Sequence, residues 1–217
     1  MKKNIAIPLG MVALAIMAVL AAARSSDDGS TAVAAGSDSG EAEVELVRSD
    51  SQRISDAPDD AVAFVEFLDF ECEACRAAHP AITELRTRYG DQVSFVVRSF
   101  PLHNNSEAAA QAAEAAAAQG QFIEMMDLLF ETQPEWGEKS SSQEEVFFGF
   151  AEELGLDMEQ FTEVYRDPAT LEKIRRDQAD GQALGVAGTP TFFLDGEMLQ
   201  PTSFDELVTA VEDAING

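Results

Sequence analysis

The chain has 217 residues, with 14 Lys and Arg against 40 Asp and Glu, and a formal net charge of -26. This length accommodates one medium-sized domain with additional segments. Such an acidic surface repels phosphate backbones and anionic lipid headgroups, so the charge excludes nucleic acid as a partner and leaves only a hydrophobic segment as a route to a membrane.

The N-terminus predicts export. Lys2 and Lys3 precede an uncharged apolar run over residues 5–23, which ends at Arg24. As a helix this run would be about 28 Å long, close to the hydrocarbon thickness of a bilayer. Residues 1–23 are therefore either a cleaved signal peptide or a retained membrane anchor. Both predict an extracytoplasmic protein, secreted or anchored by this segment.

A polar segment follows the apolar run. Residues 24–58 are rich in Ser, Asp, Gly, Ala and Glu and contain few large apolar residues. This composition predicts a disordered acidic linker. The short stretch over residues 44–47 is the exception, and it predicts an edge strand at the start of the domain that occupies residues 59–217.

The remaining elements follow a β-α-β, helices, β-β-α order. Apolar runs predict strands over residues 61–68 and 93–97, with a helix between them that ends at Gly90. Helical periodicity then continues over about residues 106–185. Asp195-Gly196 predicts a hairpin between two further strands, and Ser203 caps a closing helix.

The chain contains two cysteines, Cys72 and Cys75, between the first of these strands and its helix. This position places both sulfurs at a helix N-terminus, where unpaired N–H groups favour a thiolate on Cys72. A thiolate of low pKa is both a nucleophile and a good leaving group, as disulfide exchange requires. Cys75, one turn further on, is expected to be shielded and to act as the resolving thiol.

Other functions for the pair remain open on spacing alone. A structural disulfide would close too short a loop to contribute much stability. A Cys₂His₂ metal site is possible with His79 and His103, the two histidines of the chain. A domain kept only for protein interaction would use neither thiol.

Two further features favour redox chemistry. Glu66 is a carboxylate inside an otherwise apolar strand, six residues before Cys72. A buried acid there could exchange a proton with Cys75, although an edge position facing solvent would also explain it. Thr189-Pro190 directly precedes a strand, which predicts a cis peptide bond and a backbone free to pair with an extended substrate chain.

Together these residues resemble the thioredoxin superfamily, and more closely its DsbA-like branch. The resemblance rests on residues 65–75, on residues 188–192 and on the helical block between them. It implies an α/β thioredoxin-like fold, βαβ followed by ββα, with a helical insertion. The expected activity is that of a thiol–disulfide oxidoreductase.

The resemblance also implies the roles of individual residues. Cys72 corresponds to the attacking cysteine, Cys75 to the resolving one and Glu66 to the buried acid, while Thr189 and Pro190 correspond to the loop that binds substrate. No cofactor is implied; the partners are exported thiol or disulfide proteins and an external redox protein.

One departure concerns the residues around the attacking cysteine. Strongly oxidising relatives often carry a His between the cysteines, where this chain has Glu73, and Glu71 adds a second negative charge. These charges are expected to disfavour the thiolate, which predicts a less oxidising centre than that of the strongest oxidases.

Overall fold

The computed structural model of the protein describes residues 44–217, where five strands form one mixed sheet flanked by eight helices. The predicted segment 1–23 and residues 24–43 of the predicted linker lie outside the described residues. Between residues 44 and 217, no helix has the length and apolar character needed to cross a membrane. The elements are β1 (Gln52–Arg53), β2 (Val62–Leu68), α1 (Glu73–Tyr89), β3 (Val93–Ser99), α2 (Ser106–Ala117), α3 (Phe122–Glu131), α4 (Gln133–Trp136), α5 (Glu144–Glu153), α6 (Met158–Arg166), α7 (Pro168–Ala183), β4 (Thr191–Leu194), β5 (Glu197–Leu199) and α8 (Phe204–Asn216).

The sheet has the strand order β1-β3-β2-β4-β5, with β2 at its centre. β2 runs parallel to β3 and antiparallel to β4. A central strand is covered on both faces, which explains why β2 is a nearly continuous apolar run rather than an alternating one. The βαβ and ββα halves and the helical insertion, α2 to α7, confirm the predicted thioredoxin-like fold.

Side chains of β2 alternate between two cores. Phe64 and Leu68 belong to the core that includes Cys75 of α1. Val65 and Phe67 belong to a smaller core on the opposite face. Because strand side chains alternate with a period of two, Glu66 points to the same face as Phe64 and Leu68, towards α1.

The C-terminal hairpin and helix form as the sequence predicts. Asp195 and Gly196 have φ values of 48° and 85°, the left-handed conformation that a tight two-residue hairpin requires. The Ser203 hydroxyl accepts a hydrogen bond from the Glu206 N–H at 3.2 Å and so caps α8.

The domain begins earlier than predicted. β1 and the buried Ile54 lie within the stretch assigned to the linker, and β1 pairs with β3. The predicted edge strand over residues 44–47 is wrong, since no strand forms there. Its apolar residues Leu46 and Val47 instead pack against the smaller core, and the Leu46 carbonyl accepts a hydrogen bond from Arg98. Apolar spacing in this stretch therefore reflects packing and not strand pairing.

Candidate active site

Cys72 and Cys75 lie at the start of α1, and their surroundings differ sharply. Cys72 is the N-cap residue, with φ -74° and ψ 121°, and is half-buried. Cys75 is one turn into the helix and fully buried. Both thiols are free, so the structure corresponds to the reduced form of the pair.

The two thiols are unequal as acids. A hydrogen bond from the Cys75 thiol, the nearby Thr189 side chain and the N–H groups of Ala74 and Cys75 outweigh burial and lower the pKa of Cys72 to about 5. The hydrogen bond to Cys72, burial and the charge of Glu66 all raise the pKa of Cys75. The reduced pair therefore holds a thiolate at Cys72 and a thiol at Cys75 near neutral pH.

Glu66 is the buried acid behind the pair. Glu66 is 6 % exposed, and desolvation raises the pKa of its carboxyl group to about 8. The alternative position, at a solvent-facing edge, is wrong because β2 is the central strand. A carboxyl group with a pKa near neutrality can both release and recover a proton, and the influence of Glu66 on the pKa of Cys75 indicates that the two groups are close enough to interact.

The Thr189–Pro190 turn lies next to Cys72. The Thr189–Pro190 peptide bond is cis, as predicted. Cys72 Sγ lies 3.4 Å from the Thr189 carbonyl oxygen, to which the protonated thiol can donate a hydrogen bond. The Thr189 hydroxyl is buried and has no hydrogen-bond partner among residues 44–217. A groove next to the turn is lined by Pro190, Phe192, Met198 and Leu199, among others.

Asp69 organises the loops around the pair, a role that the sequence analysis did not assign. Its carboxylate accepts hydrogen bonds from the N–H groups of Glu71 and Leu102, both at 2.8 Å, and lies 2.6 Å from His103 Nδ1. Burial works to lower the pKa of His103, but the hydrogen bond to Asp69 and the charges of Asp69, Glu71 and Cys72 prevail and raise it. An acid directly after a buried strand was the available clue, but its partners were not predictable from local sequence.

Glu71 does not direct its charge at Cys72 as expected. Its carboxylate accepts the N–H of Asn105 at 2.6 Å and that of Glu138 at 2.9 Å. Two backbone donors thus compensate this charge. Glu73 is exposed in the first turn of α1, as expected from its position.

The four residues of the alternative metal site do not come together. His79 Nε2 is 2.8 Å from Asp127 Oδ1, and its ring packs on Phe130 with centroids 4.8 Å apart. His103 is held by Asp69 instead. Across residues 44–217, no three His, Cys, Asp or Glu side chains are arranged to hold a metal ion.

Comparisons with known proteins agree with this geometry. The family model described as Thioredoxin matches residues 52–213. The Na(+)/H(+) antiporter NhaA of Herminiimonas arsenicoxydans is 40 % identical over 158 residues, which cover 72 % of this chain and 24 % of that protein. The chain thus spans about a quarter of the length of the curated relatives it matches.

Solved structures resemble the described fold over most of the chain. A thioredoxin-like oxidoreductase from Silicibacter pomeroyi DSS-3 has a TM-score of 0.64 and 28 % identity, covering 77 % of this chain and 93 % of that one. Wolbachia pipientis alpha-DsbA1 has a TM-score of 0.68 and 18 % identity, covering 79 % and 94 %. Oxidised BdbD from Bacillus subtilis has a TM-score of 0.65 and 23 % identity, covering 74 % and 91 %.

Proposed function

Since the chain belongs to the thioredoxin family, we propose that it is a DsbA-like member, which exchanges disulfides with exported proteins through Cys72 and Cys75. The observation that carries this proposal is the inequality of the two thiols. Cys72 is half-buried with a pKa of about 5, whereas Cys75 is fully buried with a raised pKa. Disulfide exchange needs one thiol that attacks or leaves and a second that resolves the mixed disulfide.

The oxidising direction begins with the Cys72–Cys75 disulfide. A substrate thiolate attacks Cys72 Sγ, the substrate–Cys72 bond forms and the Cys72–Cys75 bond breaks, which leaves the electron pair on Cys75 Sγ. A second substrate thiolate then attacks the substrate sulfur of the mixed disulfide and releases Cys72 as a thiolate. The substrate loses two electrons and the pair gains them. An external redox partner removes these electrons for turnover, and its reduction potential relative to that of the pair sets the net direction.

Glu66 is the proposed proton donor and acceptor for Cys75. The departing Cys75 thiolate is fully buried and therefore costly, and a proton from Glu66 neutralises it. The reverse transfer prepares Cys75 to resolve a mixed disulfide. A pKa of about 8 allows the Glu66 carboxyl group to serve in both directions near neutral pH.

Thr189 and Pro190 are the proposed substrate contacts. The Thr189 carbonyl is within hydrogen-bond distance of Cys72, so a substrate chain lying along this turn brings its own sulfur next to Cys72. Pairing through the backbone suits substrates of varied sequence.

The location is also a proposal. Residues 1–23 would lead the chain out of the cytoplasm, either as a cleaved signal peptide or as a retained anchor to which the following linker tethers the domain. The substrates are then exported proteins that carry thiols or disulfides. A match to a quarter of the antiporter relatives is no ground for assigning ion transport to this chain.

Trapping a mixed disulfide tests the proposal. Cys75→Ser should accumulate a mixed disulfide at Cys72 when it is given a peptide disulfide, because the Cys72 thiolate attacks one sulfur, the other sulfur leaves as a thiolate, and the resolving thiol is missing. Cys72→Ser should abolish exchange in the same assay. If wild type exchanges a peptide disulfide no faster than Cys72→Ser does, the proposal is contradicted. That result would favour a domain kept for protein interaction.

A further inference from the structure

Gln133 links the helical insertion to the start of the catalytic helix. It is the first residue of α4 and is only 3 % exposed. Its Nε2 donates to the Phe70 carbonyl at 2.7 Å and to the Cys72 carbonyl at 3.0 Å. Its Oε1 accepts a hydrogen bond from Arg76 Nε at 3.1 Å. One buried side chain therefore contacts the turn before Cys72 and the first turns of α1.

The hydrogen-bonding groups of these three partners determine which side chain fits at position 133. Two carbonyl oxygens require two N–H donors, and the guanidinium requires an acceptor, so the orientation of the amide follows from its partners. A carboxylate would place an acceptor against both carbonyls, and an apolar side chain of similar size would remove one hydrogen bond from each of the three groups. The site is thus specific for a primary amide of this length.

The contact reaches the nucleophile through its backbone. The Cys72 carbonyl also accepts the Arg76 N–H at 3.1 Å, the bond that begins α1. The N–H groups of Ala74 and Cys75 that stabilise the Cys72 thiolate belong to this first turn. Holding the Phe70–Cys72 turn therefore holds the sulfur against its donors.

We propose that Gln133 is a positioning residue through which the helical insertion, and not only the thioredoxin core, sets the thiolate character of Cys72. The inference rests on the proposed function, in which Cys72 is the nucleophile. A merely structural amide would contribute to the stability of both redox forms but would leave the acidity of Cys72 unchanged. The acidity is therefore the property to measure.

The test uses Gln133→Met and the milder Gln133→Asn in the full-length reduced protein. The thiolate absorbance of Cys72 is followed against pH, together with its rate of alkylation by iodoacetamide. Gln133→Met should raise the pKa of Cys72 by about one unit, which lowers alkylation at about pH 5 roughly fivefold. Gln133→Asn keeps an amide that is one methylene shorter and should shift the pKa in the same direction by less.

Gln111→Met is the matched control. Gln111 also lies in the helical insertion, and its Nε2 donates to the Tyr165 carbonyl at 2.7 Å, away from the cysteines. This variant should lose stability without changing the pKa of Cys72.

Two results would overturn the inference. One is a Cys72 pKa in both Gln133 variants within about 0.2 unit of wild type, a shift too small to alter thiolate content; if Gln133→Met does not fold, Gln133→Asn alone decides. The other is an equal shift in Gln111→Met. Failure of the proposed function is seen separately, since wild type itself would then exchange no disulfides.

Discussion

Arg98 and Glu66 lie on neighbouring strands and both are buried, yet they face opposite sides of the sheet and have opposite surroundings. On the face of the smaller core, Arg98 is paired with Asp177 at 2.8 Å and with Asp180 at 2.6 Å. It also donates to the carbonyls of Glu45 and Leu46. On the other face, desolvation raises the pKa of Glu66, and no cation within the described residues offsets this effect.

The difference distinguishes a charged residue that stabilises the fold from one that can transfer a proton. Buried charges with complete sets of partners hold elements together, and here Arg98 ties β3 to α7 and to the segment before β1. A buried acid without a cation titrates near neutral pH and can move a proton. Pairing, more than burial itself, therefore distinguishes the two roles.

The largest effect is expected on stability, from Arg98→Met. Removing the cation leaves Asp177 without its main partner, which should lower the free energy of unfolding by about 3–5 kcal/mol. Denaturant unfolding measures it. Arg175→Met, which breaks an exposed pair with Glu107, is the control and should cost little because water screens that pair. Equal losses in the two variants would show that the Arg98 cluster does not hold the fold.

Glu66→Gln should lower the rate of disulfide exchange. Without a titratable group beside Cys75, resolution of a mixed disulfide by Cys75 near neutral pH should slow about 10²-fold. Stopped-flow kinetics of mixed-disulfide formation and resolution measure this. Glu114→Gln is the control, since burial also raises the pKa of Glu114 but Lys173 and Gln52 contact it away from the cysteines. If both variants slow exchange equally, Glu66 has no special role.

Glu66 should also give the oxidised protein a pH-dependent stability. Its pKa is raised from 4.5 to about 8, so the folded state keeps a proton that the unfolded state loses between these values. Stability is therefore lost as pH rises through this window, at up to about 1.4 kcal/mol per pH unit. Comparing urea unfolding of oxidised wild type and Glu66→Gln should isolate this slope.

In the reduced protein the slope should be smaller. The pKa of Cys72 is lowered from 9.0 to about 5, so its contribution to stability rises with pH between these values and opposes that of Glu66. A reduced protein as steeply pH-dependent as the oxidised one would contradict the assignment of Cys72 as the thiolate.

Gly181→Ala tests the packing on the Arg98 face. A Cβ at Gly181 would lie 2.8 Å from Phe100 and 2.9 Å from Phe67, so the variant should lose about 1–2 kcal/mol of stability by overpacking. Gly149→Ala, in α5, is the control: its Cβ meets nothing within 4 Å and should raise stability by up to about 1 kcal/mol. A stabilised Gly181→Ala would mean that the aromatic rings give way easily.

The smallest effect is expected for His103→Ala. The protonated imidazole favours the Cys72 thiolate, and its raised pKa keeps it charged where Cys72 titrates. Its loss should raise the pKa of Cys72 by a fraction of a unit and slow alkylation about twofold at about pH 5. The difference from wild type should vanish as pH rises through the pKa of His103. A difference that persists above it would indicate a steric cause.

Much of the fold follows from periodicity. The continuous apolar run of β2, the helical spacing of α1 and the Asp195-Gly196 turn each determine structure locally. β1 was missed because two residues carry no pattern, and the predicted strand over residues 44–47 failed because its apolar residues serve packing.

The site divides in the same way. Glu66 stood out because a charge interrupts an apolar strand. The roles of Asp69 and Gln133 depend on partners 33 and 63 residues away, which no local pattern specifies. The expected influence of Glu71 on Cys72 was inferred from adjacency alone, whereas its carboxylate turns to Asn105 and Glu138.

The two shortest strands have a consequence for a protein that we propose exchanges disulfides with exported proteins. β1 has two residues and β5 has three, and these are the two outer strands of the sheet. Long open edges invite further strands to add and lead to aggregation. Edges this short offer an extended polypeptide few backbone groups to pair with, which disfavours the addition of substrate chains to the sheet as extra strands.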